Sequence, residues 1–351
     1  MLMFDLKKLI RTNINALQPY SSARNEYSSA EGVFLDANEN PYGQWNRYPD
    51  PYQTALKAEL AKQKGINPNQ ILVGNGSDEI IDLLFRVFCI PGTDKALGFT
   101  PSYGMYAVSA AINDVELVTI PLTDSFDLDS EAAIELLKQK PIKLTFICSP
   151  NNPSGNAFTQ AKIREVVQAA QGIVVLDEAY ADFSEQGSWL ELLPQFPNLV
   201  ITQTMSKARG LAAARVGFAF ASEEIIAVLN KVKPPYNVSE LNQQTVLAAL
   251  RNEESFAQQL EQIKNEKRKL ERELALLPLV RKVYPSNANF LLVEVTDANR
   301  LYAQLVERNI IVRNRHKEVP NCIRISIGSA TENEILLNAL KQIENEESTV
   351  Y

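Results

Sequence analysis

Several polar side chains stand directly after short apolar runs of the chain. Asp177 ends IVVLD and Tyr180 comes three residues later, while Ser206 and Lys207 follow LVITQ. Asn152 follows IKLTFIC and precedes a proline, which favours extended backbone and leaves its amide able to hydrogen-bond in a cleft. Open parallel sheets bind ligands beyond the carboxyl ends of their strands. A lysine amine there can attack a carbonyl carbon or move a proton, although each residue taken singly also fits a turn, a cap or an ion pair.

The histidine content narrows the chemistry. His316, in RNRHKE, is the only histidine of the chain, which disfavours most histidine-based metal sites and Ser-His-Asp or Cys-His nucleophiles. Acid-base chemistry therefore has to use lysine, tyrosine or carboxylates. We predict that His316 is a solvated loop residue and that the protein has no metal site.

The segment GNGSDE is a candidate anion site. Gly74 and Gly76 permit a tight turn after ILV, and Ser77 with Asp78 open the predicted helix DEIIDLLFRVF. Backbone N–H groups at the start of a helix, together with its positive end, bind anions. A plain strand-to-helix turn with a helix cap explains the same residues.

Helical and strand-like segments alternate from about residue 54, which predicts an α/β fold with a mostly parallel sheet covered by helices on both faces. The prolines after SEEIIAVLNKV, with Ser222 as its N-cap, indicate a boundary. We predict an N-terminal arm over 1–30, a large domain over 31–238, with residues 31–50 able to pack on its neighbour, and a smaller α+β domain over 239–351.

Composition limits the partners and the compartment. The formal net charge is −7 and no long basic block occurs, which argues against nucleic acid or an anionic membrane as the main partner. No secretion signal or apolar stretch of membrane-spanning length is present, so we expect a cytoplasmic protein. Cys89, Cys148 and Cys322 lie in apolar segments and are predicted to be reduced core residues.

The motifs GNGSDE, PSYGMY, SPNNPSG, DEAY and SKA, followed by a later arginine, occur in one order along nearly the whole chain. In order, spacing and strand context this set resembles the class I/II branch of the fold-type I pyridoxal-phosphate-dependent aminotransferases. The resemblance implies a large domain with a mostly parallel sheet, a smaller C-terminal domain, and pyridoxal 5'-phosphate as the cofactor.

The resemblance also implies roles for individual residues. Lys207 matches the lysine whose amine condenses with the cofactor's aldehyde and then moves a proton between the substrate carbon and the cofactor. Asp177 matches the acid that keeps the pyridine nitrogen protonated. Tyr180 and Asn152 match the donors to the ring's 3-oxygen, and Tyr103, in PSYGMY, matches the aromatic residue that stacks on the ring.

The cofactor phosphate is expected, by the same resemblance, to bind the N–H groups of residues 76–78 and the side chains of Ser206 and Arg215. Arg215 follows Lys207 at the family's spacing of eight residues. Tyr48, in NRYP, matches a tyrosine that reaches the phosphate of the neighbouring subunit. The resemblance therefore implies a homodimer with shared active sites, although a bare tyrosine before proline is an ordinary surface residue.

Within the family, the motifs LQPYSSAR, LDANENP, NRYP, PGTDKALGFTPSYGMY, IIVRN and IRISIG are most similar to the histidinol-phosphate aminotransferases. That branch implies conversion of histidinol phosphate and 2-oxoglutarate to imidazole acetol phosphate and glutamate in histidine biosynthesis. Arg313 and Arg324 match its substrate-binding arginines, and Tyr20 matches a tyrosine that holds the substrate phosphate. Guanidinium groups suit both phosphate and carboxylate, although a lone arginine is more often in a surface ion pair.

Other functions stay open at this point. Arg209, Ala213 and Ala214 depart from the family, which usually has an aromatic residue and Gly-Leu there. Phosphothreonine decarboxylases share the arm, the tyrosine and the arginines, and aromatic amino-acid aminotransferases are a third option. A nicotinamide dehydrogenase is disfavoured because no G-x-G-x-x-G follows the first strand. A non-catalytic binding or regulatory protein of the same fold is the alternative outside enzymes.

Overall fold

The computed structural model describes residues 4–19 and 32–348. A seven-stranded sheet in the order β1-β7-β6-β5-β4-β2-β3 dominates the N-terminal two thirds of the chain. The helices and strands of this region are α1 Leu6–Leu9, α2 Thr12–Asn15, α3 Thr54–Lys64, β1 Ile71–Asn75, α4 Ser77–Phe88, β2 Lys95–Thr100, α5 Met105–Ile112, β3 Glu116–Pro121, α6 Ser130–Gln139, β4 Ile142–Cys148, α7 Gln160–Ala169, β5 Ile173–Asp177, β6 Leu199–Thr204, β7 Val216–Phe220 and α8 Glu223–Val232.

Helices cover both faces of the sheet, as the alternating pattern predicted. Along β5, Val174 and Leu176 pack into one apolar core with α3, α6 and α7, while Ile173 and Val175 pack into a second core with α4, α5 and α8. Successive side chains of a strand point to opposite faces, so a strand covered on both sides reads as a continuous apolar run. IVVLD is such a run, and all five of its residues are buried.

The strands β2 to β6 are parallel, so their carboxyl ends meet at one edge. The strand β7 is the exception, since it runs antiparallel to both β6 and β1. The connection between β6 and β7 contains a 3-10 turn at Ala212–Ala214 but no crossover helix, and such a crossover is what a parallel pair requires. The reversal brings the segment that carries Lys207 back over the carboxyl edge of the sheet.

A second, smaller sheet forms the C-terminal part. It is antiparallel, in the order β10-β11-β9-β8, and its core joins leucines of three helices to the inward face of β9 and β11. The remaining elements are α9 Glu240–Leu250, α10 Glu253–Leu274, β8 Val280–Val283, β9 Phe290–Val295, α11 Ala298–Glu307, β10 Arg313–Asn314, β11 Cys322–Ser326 and α12 Ala330–Ser348.

Two segments pack differently from the predicted domain plan. Ile10 and Ile14 are buried in the core shared with α4 and α8, so the described part of the N-terminal segment is more than an arm. Val246 and Leu250 of α9 belong to the core of the large sheet, although the sequence assigned α9 to the small domain. Because burial of these faces stabilises α9 on the large unit, we propose that the division between the units lies at α10.

The remaining expectations on the fold concern single residues and the membrane. Cys89, Cys148 and Cys322 are buried free thiols, as predicted. Ser222 caps α8, also as predicted, by accepting a hydrogen bond from the Ile225 N–H. His316 is half-buried rather than solvated, because its Nδ1 accepts a hydrogen bond from the backbone N–H of residue 321 at 3.0 Å. Across residues 4–19 and 32–348, no helix combines the length and apolar character needed to cross a membrane.

Candidate active site

A cavity of about 590 Å³ opens at the carboxyl edge of the large sheet, where the second sheet packs against it. Most of the residues predicted to bind or react line this one cavity. They are Ser77, Asp78, Tyr103, Asn152, Asp177, Tyr180, Ser206, Lys207, Arg215, Arg313 and Arg324. These predicted residues come from six separate loops and strand ends of the large unit and from two strands of the small unit.

Asp177 lies at the buried end of β5, with 3% of its surface exposed. Its Oδ2 accepts a hydrogen bond from the Tyr106 hydroxyl at 2.7 Å, and its Oδ1 accepts one from the Ala179 N–H at 3.1 Å. Burial raises the pKa of Asp177, and the bond from Tyr106 opposes that rise. Among the residues that the structure describes, no cation forms an ion pair with this carboxylate, so a cationic group entering the cavity would stabilise it.

Lys207 lines the same cavity. Its Nζ is 5.7 Å from the centre of the Tyr180 ring. Burial lowers the pKa of Lys207, and the positive charge of Arg324 lowers it further. The neutral amine, which is the form that can act as a nucleophile or accept a proton, is therefore more accessible than in a free lysine.

Asn152 and Tyr180 connect the two units. The Nη1 of Arg324 donates to the Asn152 Oδ1 at 2.6 Å, which leaves the Asn152 amide nitrogen to donate elsewhere. The Tyr180 ring packs edge-on against Phe290 of β9 at 5.2 Å. Burial raises the pKa of Tyr180, so this phenol stays protonated and can donate a hydrogen bond into the cavity.

The start of α4 forms the other end of the cavity. Gly76, at φ +75°, is the N-cap, and a Cβ added to it would lie 2.6 Å from the Arg215 Nη2. Arg215 is 3.5 Å from the Asp78 carboxylate, and the Tyr103 hydroxyl donates to the same carboxylate at 2.9 Å. Ser206 accepts a bond from the Thr204 hydroxyl at 3.1 Å. A guanidinium, a hydroxyl and free helix N–H groups thus surround one small space, the composition of an anion site.

Tyr48 is a predicted site residue that does not join the cavity of the described chain. Tyr48 is 51% exposed and stacks on Tyr236 with ring centres 4.5 Å apart. It does not line the cavity, and the sequence assigned it to the site of a neighbouring subunit. Tyr20 lies outside the described residues.

Comparison with known proteins decides the family. Residues 23–340 match the family model described as aminotransferase class I and II. The chain belongs to this aminotransferase family. The family predicted from the order of the motifs is therefore confirmed.

Relatives of this aminotransferase carry a more specific name. The histidinol-phosphate aminotransferase of Christiangramia forsetii is 49% identical over 348 residues, which cover 98% of this chain and 99% of the relative. That of Parabacteroides distasonis is 50% identical over 344 residues, covering 97% and 99%. The solved histidinol-phosphate aminotransferase of Sinorhizobium meliloti, in complex with pyridoxal-5'-phosphate, matches with a TM-score of 0.80 at 25% identity, over 86% of this chain and 83% of that one.

Two side chains at the site of this aminotransferase were not predicted from the sequence. Tyr106 contacts Asp177 but lies within α5, where an aromatic residue is usually read as core. Arg315 lines the cavity beside the two predicted arginines. Its position two residues after Arg313 was a usable signal, since alternate residues of an extended segment share a face.

Arg209, which departs from the family, has a defined environment. Its guanidinium carbon lies 3.5 Å from the centre of the Phe256 ring, and its Nη1 and Nη2 donate to the Glu253 carboxylate at 2.8 and 3.3 Å. A flat guanidinium stacks on an aromatic face much as another aromatic ring does. Arg209 therefore connects the loop of Lys207 to α10. Nothing in the structure explains Ala213.

Proposed function

We propose that this aminotransferase uses pyridoxal phosphate to transfer the amino group of histidinol phosphate to 2-oxoglutarate, giving imidazole acetol phosphate and glutamate in histidine biosynthesis. The observation that carries the proposal is the convergence of Lys207 and Asp177, with Arg313 and Arg324, on one cavity. The shared name of relatives that are about half identical over nearly the whole chain supports the substrate.

Two features of the cavity fit pyridoxal phosphate. Asp177 is a buried carboxylate that lacks a cation in the described chain, and a protonated pyridine nitrogen supplies both a positive charge and an N–H donor. At the other end, the missing side chain of Gly76 leaves room beside the guanidinium of Arg215 and the first turn of α4, where a phosphate fits.

We assign the binding roles as follows. The N–H groups of residues 76–78, with Ser206 and Arg215, would hold the phosphate. Tyr103 would lie against the ring, and its hydroxyl is fixed by Asp78 at 2.9 Å. Asn152 and Tyr180 would donate to the 3-oxygen, with the Asn152 amide oriented by its bond to a guanidinium of the small unit.

Bound pyridoxal phosphate supplies an electron sink for the pair left when the substrate Cα–H bond breaks. Lys207 Nζ would take the proton from the substrate Cα and return it to the former aldehyde carbon of the cofactor, a role that suits an amine whose pKa is lowered by burial. Asp177 would keep the ring nitrogen protonated by accepting a hydrogen bond from it. Arg324 and Arg313 bind the distal anion, which is a phosphate in one substrate and a carboxylate in the other.

A substrate panel tests the proposal. Purified protein loaded with pyridoxal phosphate is mixed separately with histidinol phosphate, phosphothreonine and phenylalanine, while visible absorbance and carbon dioxide release are followed. We expect histidinol phosphate to change the absorbance with the highest kcat/KM, without carbon dioxide, and 2-oxoglutarate to restore it. Carbon dioxide from phosphothreonine, a preference for phenylalanine, or no colour at all would each contradict this function in favour of a named alternative.

We further propose a cytoplasmic homodimer in which Tyr48 reaches the partner's site. Val33 and Leu35 are 88% and 89% exposed, and Tyr42 and Trp45 are also exposed, all within 15 residues of Tyr48. Apolar side chains grouped in this way favour burial against another protein surface. Three buried free thiols suit a reducing compartment. Light scattering of the purified protein is expected to give twice the 39.2 kDa of one chain; a monomeric mass would contradict the shared site.

A further inference from the structure

Three arginines of the small unit, not two, line the site. Arg313 of β10 lies opposite Arg324 of β11. Arg315 continues that pairing, because its N–H donates to the carbonyl oxygen of residue 322 at 2.9 Å. Residues two apart on an extended strand share a face, and directly paired residues share it as well. The three guanidinium groups therefore gather on one wall, and all three side chains border the cavity.

The positive charge of this wall is only partly neutralised. Within residues 4–19 and 32–348, neither Arg313 nor Arg324 has a carboxylate at ion-pair distance, whereas Arg315 Nη1 lies 3.1 Å from Glu318 Oε1. Three positive charges against one negative charge leave a formal local charge of +2. Burial lowers the pKa of Arg324, and Arg315 is the next cause of that shift. The like charges of Arg315 and Arg313 disfavour the charged form of Arg324, so a bound anion would stabilise the arrangement.

Donor groups on the same wall also lack acceptors. The Nε atoms of Arg315 and Arg324 are buried and have no hydrogen-bond partner in the described chain. The Arg315 side chain is 17% exposed and that of its partner Glu318 is 45% exposed. Because the carboxylate is largely in solvent, this ion pair contributes little to stability. Arginine binds phosphate through two parallel N–H groups of one guanidinium. Glu318 contacts only the Nη1 of Arg315, so the Nη2 side of this guanidinium is left to meet an anion in the cavity.

We propose that Arg315 is a specificity-determining residue that, with Arg313 and Arg324, selects a doubly charged phosphate ester over a carboxylate. This inference rests on the proposed function. A phosphate monoester carries about −1.5 to −2 charges at pH 7 and matches the local charge of +2, whereas the side chain of glutamate carries a single charge. The two substrates of the reaction therefore depend on Arg315 to different degrees.

The substitution Arg315→Gln in the holoenzyme separates the two substrates. For histidinol phosphate we expect KM to rise about 10- to 100-fold, the range for losing one hydrogen bond to a charged group, while kcat stays nearly constant. For glutamate we expect little change in either constant. Arg268→Gln is the matched control, since Arg268 is an exposed arginine of α10 that also bonds a carboxylate, Glu261, and lies outside the cavity. Equal shifts for both substrates, or no shift, would overturn the assignment.

Inorganic phosphate tests the anion site independently of the amino donor. In the holoenzyme the cofactor occupies its own phosphate site, so phosphate is expected to inhibit the glutamate half-reaction competitively through the arginine wall. Arg315→Gln should raise the inhibition constant about tenfold or more, and Arg268→Gln should not. If histidinol phosphate fails as a substrate while this difference persists, the proposed function falls and the anion site stands. If phosphate inhibits both variants equally, or inhibits neither, the role of Arg315 is refuted.

Discussion

Replacing Asp177 with asparagine removes a buried negative charge while keeping the size and shape of the side chain. The carboxylate accepts hydrogen bonds from the Tyr106 hydroxyl at 2.7 Å and from the Ala179 N–H at 3.1 Å, and it pairs with no cation of the described chain. An asparagine offers one oxygen, which can accept a hydrogen bond from one of these donors, and one NH₂ group, which can donate to the oxygen of the Tyr106 hydroxyl. The substitution therefore acts mainly through charge.

The sign of the effect of Asp177→Asn on the stability of the apoenzyme follows from the pKa shift of the carboxyl group. Burial raises the pKa of Asp177, so the folded apoenzyme binds this proton more tightly than the unfolded chain. Stability from this group is full below the unfolded pKa of about 3.9 and is lost as the pH rises through the higher folded pKa. At pH 7 the buried charge is a cost, and since one unit of pKa difference corresponds to about 1.4 kcal/mol, replacing it by an uncharged side chain of similar volume stabilises by on the order of 1 kcal/mol. We expect Asp177→Asn to stabilise the apoenzyme by this amount at pH 7 and to have almost no effect near pH 3.

The effect on catalysis has the opposite direction. Without the carboxylate, nothing in the described cavity holds a proton on the ring nitrogen of the bound cofactor. The loss of one positioned electrostatic group costs about 100-fold or more in kcat. We expect the cofactor to bind still, because the phosphate end of the site is untouched, and proton abstraction to slow by at least that factor.

Urea unfolding of the apoenzyme at the two pH values and single-turnover kinetics of the holoenzyme measure the two effects. Asp182→Asn is the matched control, since Asp182 is an exposed carboxylate five residues along the chain, and neither quantity should change. An apoenzyme less stable than wild type at pH 7, or a variant with near-normal turnover, would refute the reasoning.

Three further substitutions test other parts of the site. Lys207→Ala should keep the fold, measured by thermal unfolding, but abolish turnover and covalent retention of the cofactor after borohydride reduction; any remaining turnover would remove Lys207 from its role. Gly76→Ala should weaken cofactor affinity at least about tenfold, because the added Cβ displaces Arg215, and cost about 1 to 3 kcal/mol for a backbone conformation that only glycine adopts readily. Gly187→Ala, at φ +71° with no atom within 4 Å, is its control, and equal cofactor affinity in both variants would contradict the steric argument. Tyr106→Phe removes the hydroxyl bonded to the buried carboxylate, so it should lower stability by about 1 to 3 kcal/mol, measured in urea, and an unchanged midpoint would show that this bond contributes nothing.

The convergence of the candidate residues on one cavity could be predicted because each lies where a strand ends. Asp177 ends the apolar run IVVL, Asn152 lies in the loop after IKLTFIC and Lys207 lies in the loop after LVITQ, so the rule for parallel sheets brings them to one edge before any coordinates are known. The same rule locates the turn at Gly76. Local sequence carries this information because strand, loop and helix start are adjacent along the chain.

Contacts between distant segments could not be predicted in this way. Tyr106 and Asp177 are 71 residues apart, and α5 reads as an ordinary apolar helix until the sheet is assembled. The stacking of Arg209 on Phe256 depends on how α10 packs against the loop that carries Lys207. Packing of α9 on the large sheet likewise depends on which of two apolar cores accepts Val246, a choice that amphipathic spacing alone does not make.

The hydrogen bond between Asn152 and Arg324 joins two units of the protein that carry different parts of the site. Lys207 and Asp177, which we propose as the reacting residues, belong to the large sheet, whereas the guanidinium wall belongs to the hairpin of β10 and β11. Exchanging that hairpin for one with a different charge pattern would redirect the enzyme to another amino donor without disturbing the proton-transfer chemistry. The 2.6 Å contact is the constraint on such a graft, since the new hairpin must still present a donor to residue 152.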